Sequence, residues 1–149
     1  MGYHPNRRLV LVDIENFLGA PVFDENTASG ACCSITQTLN LNENDLVIIG
    51  TSHSANLFAA HYGWETARQV MQKGHDGADL ALLEEMTDDL PKRFAEIVLV
   101  SGDGIFADRL AAMAQNGLAV TVLVGRGSLN RNLFSATQHI IKANLELAA

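Results

Sequence analysis

The sequence predicts an α/β domain with a mainly parallel sheet between two layers of helix. Two observations predict it. Four short runs are apolar at nearly every position: 9–12 (LVLV), 46–49 (LVII), 97–100 (IVLV) and 119–124 (AVTVLV). Near-continuous apolarity marks a strand covered on both faces. Segments with apolar residues at helical spacing separate these runs, and that alternation implies right-handed βαβ crossovers. The 149 residues fit one domain, taken as 1–149, and show no internal repeat, low-complexity tract or linker.

Each element follows in order. The first strand, 9–12, ends at Asp13. Residues 17–26 form the longest irregular stretch, at the carboxyl edge of the sheet, where long loops often carry function. A helix over 27–39 turns Ile35 and Leu39 inward, and 54–62 is a short helix after the second strand. A weak strand runs through 67–72. The helix predicted over 78–90 places Leu83, Met86 and Leu90 on one stripe. The helix over 105–116 does the same with Phe106, Leu110 and Met113, and Gly117 ends it. A second weak strand is expected at 139–142.

Composition narrows the function. Net charge is −7, which argues against a module that holds nucleic acid by a broad basic surface. A local anionic site is compatible with it, because carboxylates that hold a cation themselves make a chain acidic. The apolar stretches fall far short of the ~18 residues of a membrane span, so no membrane partner is expected. The apolar run near the N-terminus stops at Asp13, too soon for a signal peptide, and a cytoplasmic location is the expectation. Cys32 and Cys33 are adjacent and match neither zinc nor CxxC spacing; they are read as buried small side chains on a helix.

The chemistry gathers on aspartates. In an open parallel sheet, ligands bind beyond the carboxyl ends of the strands, where strand order reverses. Asp13 closes the first strand, and Asp103, in Ser101-Gly102-Asp103-Gly104, lies just after the run at 97–100. If the strand order is 3-2-1-4-5, the two face one crevice. Asp79 lies in the first turn of the helix after the weak third strand, on the same edge. Asp103 also suits an N-cap, and with Asp76 as N-cap Asp79 would support the helix dipole from N3. Asp13 is hardest to explain structurally, because a charge ending a buried strand needs compensation. Converging carboxylates repel one another, and all-oxygen ligation of Mg²⁺ or Mn²⁺ relieves that.

These residues resemble a family. Asp13-Ile-Glu15-Asn16 resembles the D-x-x-N start of NYN domains, members of the PIN-like nuclease superfamily. Lys73-Gly74 with Asp79-Leu-Ala-Leu resembles the K-G-x-D-x-x-L segment, with extra residues before Asp79. Ser101-Gly-Asp-Gly-Ile-Phe106 resembles S-G-D-x-D-F, Gly117-Leu-Ala-Val the strand entry G-x-x-V, and 128–141 the closing segment, whose last helix would start at Leu133. The resemblance implies the 3-2-1-4-5 order and a metal-dependent ribonuclease with Asp13, Asp79 and Asp103 as metal-binding acids. Ile105 stands where the family has its second Asp of S-G-D-x-D-F; Asp76, Glu15 or Asp108 are the substitutes considered.

The implied reaction is hydrolysis of an RNA phosphodiester with Mg²⁺ or Mn²⁺. Asn16 would orient Asp13 or a water, and Ser101 would hydrogen-bond a carboxylate or phosphate. Arg126, Arg131 and Lys73 are the phosphate-contact candidates, the arginines weighed equally against solvated loop residues. His53 is read as a local loop hydrogen bond, Trp64 and Tyr62 as core or dimer contacts, and His61, His75 and His139 share no ligand spacing. A homodimer is compatible with the sequence. The second reading is a catalytically degenerate NYN domain that binds RNA or a protein. Haloacid-dehalogenase-like, receiver and Rossmann sites fit less well, since their D-x-D, late lysine and G-x-G-x-x-G signatures are absent.

Overall fold

The computed structural model describes residues 6–143. The strands are β1 (Arg8–Asp13), β2 (Leu46–Thr51), β3 (Arg68–Met71), β4 (Glu96–Val100), β5 (Ala119–Val124) and β6 (Ile140–Lys142). The helices are α1 (Ile14–Leu18), α2 (Glu25–Leu39), α3 (Ser54–Gly63), α4 (Gly77–Leu83), α5 (Leu90–Arg93) and α6 (Ala107–Gln115). The sheet order is β3-β2-β1-β4-β5-β6, with every pair parallel. Both weak strands therefore exist, and β6 extends the expected 3-2-1-4-5 order by one at the edge. Among the described residues, no helix is long and apolar enough to cross a membrane.

Strand side chains alternate between two cores. Leu9, Leu11, Ile48, Ile97, Leu99 and Val122 face the core under α4, α5 and α6. Val10, Val12, Ile49, Val98, Val100 and Leu123 face the core under α1, α2 and α3. Burial on both faces is why these strands lack a polar alternation.

Five expectations need correction. Helix α1 follows β1 at once, because the Asp13 side chain accepts the Asn16 N–H at 3.2 Å and caps it. Helix α2 starts at Glu25, capped by Asp24, which accepts the Thr27 N–H at 2.8 Å, so the irregular stretch shortens from 17–26 to 19–24. The helix predicted over 78–90 stops at Leu83, since Thr87, Asp88 and Asp89 favour turns and Pro91 opens a fresh turn in α5. Met86 and Leu90 are buried all the same. Cys32 is half-buried and Cys33 exposed, because the inward stripe of α2 is Ala28, Ala31, Ile35 and Leu39. The closing segment holds a 3₁₀ turn, Arg131–Ser135, in place of a helix starting at Leu133.

One close approach positions the edge of interest. Gly50 of β2 pairs with Asp13 of β1. A Cβ on Gly50 would lie 2.6 Å from Leu82 Cγ and 2.9 Å from the Ala78 carbonyl oxygen, so α4 rests directly on bare backbone. Gly50→Ala is expected to destabilise the protein by about 1–3 kcal/mol through overpacking. Urea unfolding checks this, and unchanged stability would show that α4 does not depend on the gap.

Candidate active site

Asp13 ends β1 on the same side as Leu9 and Leu11 and is only 4% exposed. Asp79, at the third position of α4, is 5% exposed and shares a hydrogen bond with Asp13. Asp103 follows β4, half-buried, and its Oδ1 accepts the Ile105 N–H at 3.0 Å. It therefore caps the 3₁₀ turn Gly104–Phe106 while facing the crevice. Ligand oxygens of Asp76, Asp79 and Asp103 all lie within 4.8 Å of one another. Asp13 and Glu15 line the same cleft of ≈ 280 Å³, so four aspartates and one glutamate border it.

Asp76 sits where an N-cap belongs, but its side chain caps nothing. Its backbone is left-handed, with φ +60°, in a turn that also holds Gly74 at φ +106°. Asp tolerates this conformation better than most residues. The turn is tight: a Cβ on Gly77 would lie 1.7 Å from the Gln72 carbonyl oxygen. Nothing in the residue pattern announces this conformation, so Asp76 joins the acids through tertiary constraint.

Hydrogen bonds hold the buried acid in place. The Ser101 hydroxyl lies 3.3 Å from Asp13 Oδ2 and accepts the Asp103 N–H at 3.1 Å. Asn16 donates its backbone N–H to Asp13, while its side-chain oxygen accepts the Gly102 N–H at 3.0 Å. It thus ties the loops after β1 and β4 together. Its contact with Asp13 is made by the backbone N–H, while the side-chain oxygen is engaged by Gly102.

Other candidates are engaged elsewhere or lie outside the cleft. Both Glu15 oxygens are engaged, accepting the Ser52 N–H at 2.9 Å, the Ser52 hydroxyl at 2.8 Å and the Asn56 amide at 2.8 Å. Glu15 thereby secures the loop after β2 and leaves no oxygen free for an ion. Asp108 is exposed on α6, outside the cleft, and Ile105 is 38% exposed. Arg126, Arg131 and Lys73 are exposed, make no ion pair among the described residues and line neither cleft at this edge. His53 Nε2 lies 3.1 Å from the Pro21 carbonyl oxygen, Trp64 is buried core, and Tyr62 is 58% exposed.

A neighbouring cleft brings in Ser128, Leu129 and Asn130, which sequence reasoning passed over. The available signal was the spaced glycines Gly102, Gly104, Gly125 and Gly127. A Cβ on Gly102 would lie 2.0 Å from the Ser128 carbonyl oxygen, and one on Gly125 2.2 Å from that of Phe17. Such glycines mark loops pressed backbone to backbone.

The electrostatics follow from burial. Loss of solvent raises the Asp13 carboxyl above its ordinary value, against the hydrogen bond from Asp79 and the Asn16 N–H. Burial, then the Asp13 hydrogen bond and charge and the Asp103 charge, push Asp79 up to about 9. The Asp13–Asp79 pair therefore keeps one proton at neutral pH until something positive replaces it. In the unfolded chain Asp79 loses that proton near 3.8, whereas the folded protein retains it up to about 9. The folded state binds more protons across this window, so stability falls as pH rises through it. With EDTA present, the melting temperature should drop between those values, and Asp79→Asn should flatten the slope. An equal slope in the variant would contradict the shared proton.

A crystal structure of a protein of unknown function from Vibrio parahaemolyticus RIMD 2210633 has a similar fold, with TM-score 0.61, 18% identity and 93% of each chain covered. No curated protein matches the chain. The family profile described as NYN domain matches residues 7–146, nearly its whole length. A parallel sheet in this order, carboxylates gathered at its switch point and that match together place the chain in the NYN domain family, among the PIN-like nucleases.

Proposed function

We propose that the protein is a metal-dependent endoribonuclease that hydrolyses RNA phosphodiester bonds at the aspartate cluster, using Mg²⁺ or Mn²⁺. The convergence of Asp76, Asp79 and Asp103, with Asp13 bonded behind Asp79, carries this reading. The residues fit such an ion: every donor is a carboxylate oxygen, and two of the four are too buried to be charged together without a cation. Asp76, Asp79, Asp103 and Asp13 would hold it. When bound, the ion would polarise the phosphate and render a water nucleophilic near neutral pH.

The chain's own residues supply placement. Asp13 and Asp79 release their shared proton and present fixed carboxylates. Ser101 and the Asn16 N–H keep Asp13 in one orientation. The Asn16 side chain holds Gly102 so that the 101–104 loop stays open to a phosphate. Arg126, Arg131 and Lys73 lie on exposed segments at this edge and would meet the flanking phosphates of an extended RNA.

One observation favours a different reading, a degenerate module that binds RNA or a protein. Ile105 stands where related chains carry an acid, so the set is altered. Asp76, from the loop before α4, lies within 4.8 Å of Asp79 and Asp103 and would serve as the substitute. On the ribonuclease reading the acid has been relocated rather than lost.

Purified protein should cleave RNA only with Mg²⁺ or Mn²⁺. Asp13→Asn and Asp103→Asn should abolish cleavage, and Asn16→Ala should reduce it ~10–100-fold as a support residue. Equal activity in all of these proteins would exclude the site, and an inactive wild type would favour the binding module. Relocation has its own measurement. Mn²⁺ should stabilise the folded wild type by about 2.7 kcal/mol at 100 times Kd. Asp76→Asn should lose most of this, and adding Ile105→Asp should restore part of it. Full Mn²⁺ stabilisation in Asp76→Asn would show that Asp76 is not a ligand.

A further inference from the structure

Beside the acidic cleft lies a second one of ≈ 330 Å³, walled by Asn16, Asp103, Gly104, Ser128, Leu129 and Asn130. Asn16 and Asp103 line both clefts, so the two share a wall and one ligand can span them. A volume of this order is that of a small-ligand site. No lysine or arginine lines it, and apart from the Asp103 carboxylate on the shared wall its chemistry is that of carboxamides, a hydroxyl and backbone. That lining does not suit a second phosphate. It suits an uncharged group rich in hydrogen-bond donors and acceptors.

The groups in this wall are fixed and only partly used. Asn130 donates its backbone N–H to the Gly102 carbonyl at 2.8 Å. A Cβ on Gly104 would lie 2.6 Å from Asn130 Cγ, so the loops after β4 and β5 are pressed together. The Asn16 oxygen is bonded to Gly102 N–H, and the Asn130 oxygen accepts the Asn132 N–H at 2.8 Å. The NH₂ groups of both amides and the Ser128 hydroxyl have no hydrogen-bond partner among the described residues. Half-buried Leu129 adds an apolar contact. Donors and acceptors held by a rigid backbone lose little freedom when they bind.

We propose that this cleft is a nucleoside subsite: it takes the ribose and base edge of the nucleotide adjoining the phosphate at the aspartates. The proposal rests on the ribonuclease reading above. The strand it accepts is single-stranded RNA, because a base edge is free for such contacts only when unpaired, and the 2′-hydroxyl gives the cleft a group that DNA lacks. Ser128 and Asn130 are then specificity residues, and Asn16 joins the two clefts.

The test uses ¹⁵N-labelled protein in EDTA, titrated with adenosine, guanosine, cytidine and uridine and their 2′-deoxy forms. At least one ribonucleoside should give saturable shifts at the amides of Gly102, Gly104, Leu129 and Asn130. Its deoxy form should bind about fivefold more weakly, the loss of one hydrogen bond. Ser128→Ala should weaken binding to a similar degree. Asn130→Asp preserves the acceptor for Asn132 while removing the free NH₂, and should do likewise. Absence of saturable shifts at these amides, equal affinity for deoxy forms, or wild-type binding by both variants would overturn the subsite. Mn²⁺-dependent thermal stabilisation, measured on the same proteins, separates the two levels. If it persists while nucleoside shifts are absent, the subsite alone fails; if it too is absent, the ion-dependent reading fails with it.

Discussion

Two carboxyl groups, Asp13 and Asp79, are buried against each other at the end of the sheet, at 4% and 5% exposure. Much of the architecture at this edge is arranged around the cost of that burial. An isolated buried carboxylate loses its hydration, and two side by side also repel. The protein meets this with a shared proton, the Ser101 hydroxyl and the Asn16 N–H. A hydrophobic pair would sit there at lower cost. Retention of two acids that cannot both ionise unaided is a functional signature with a physical cause.

The pair forms only because backbone approaches backbone without side chains between. Gly50 lets α4 settle onto β2 beside Asp13, and Gly77 lets the turn before α4 fold tightly. Gly102 and Gly125 do the same for the loops after β4 and β5. These glycines are distributed over four crossovers, yet all act at the same edge. Rigid close contacts set the separation of the acids, and that separation determines how strongly each shifts its neighbour's proton affinity.

The strands and their order were legible because burial on both faces leaves uninterrupted apolar runs, as in 9–12 and 97–100. Asp13 was legible for the converse reason, a charge ending such a run. What escaped reading depends on partners distant in sequence. Glu15 resembles a spare ligand until Ser52 and Asn56, from the next crossover, occupy both its oxygens. Asp76 was legible as an N-cap and as a substitute acid, but its left-handed turn, packed through Gly77 against Gln72, was not. The break after Leu83 was overlooked because Met86 and Leu90 preserve helical spacing, although a turn rather than a helix carries them inward.

The overall charge bears on how an RNA would be recognised. With 17 acidic against 10 basic residues, the chain repels a polyanion at distances where individual groups do not matter. Arg126, Arg131 and Lys73 form no ion pair among the described residues and lie outside both clefts, so they offset this only locally. Screening at physiological salt confines such repulsion to about 8 Å. Inside that distance, short-range contacts decide the outcome. On the proposed reading the ion removes the charge conflict at the aspartates, and a cleft without basic side chains beside it reads hydrogen-bonding pattern rather than phosphate density. A site built this way favours a strand whose bases are free over a duplex that presents mainly its backbone, and the acidic total then acts as a filter rather than an obstacle.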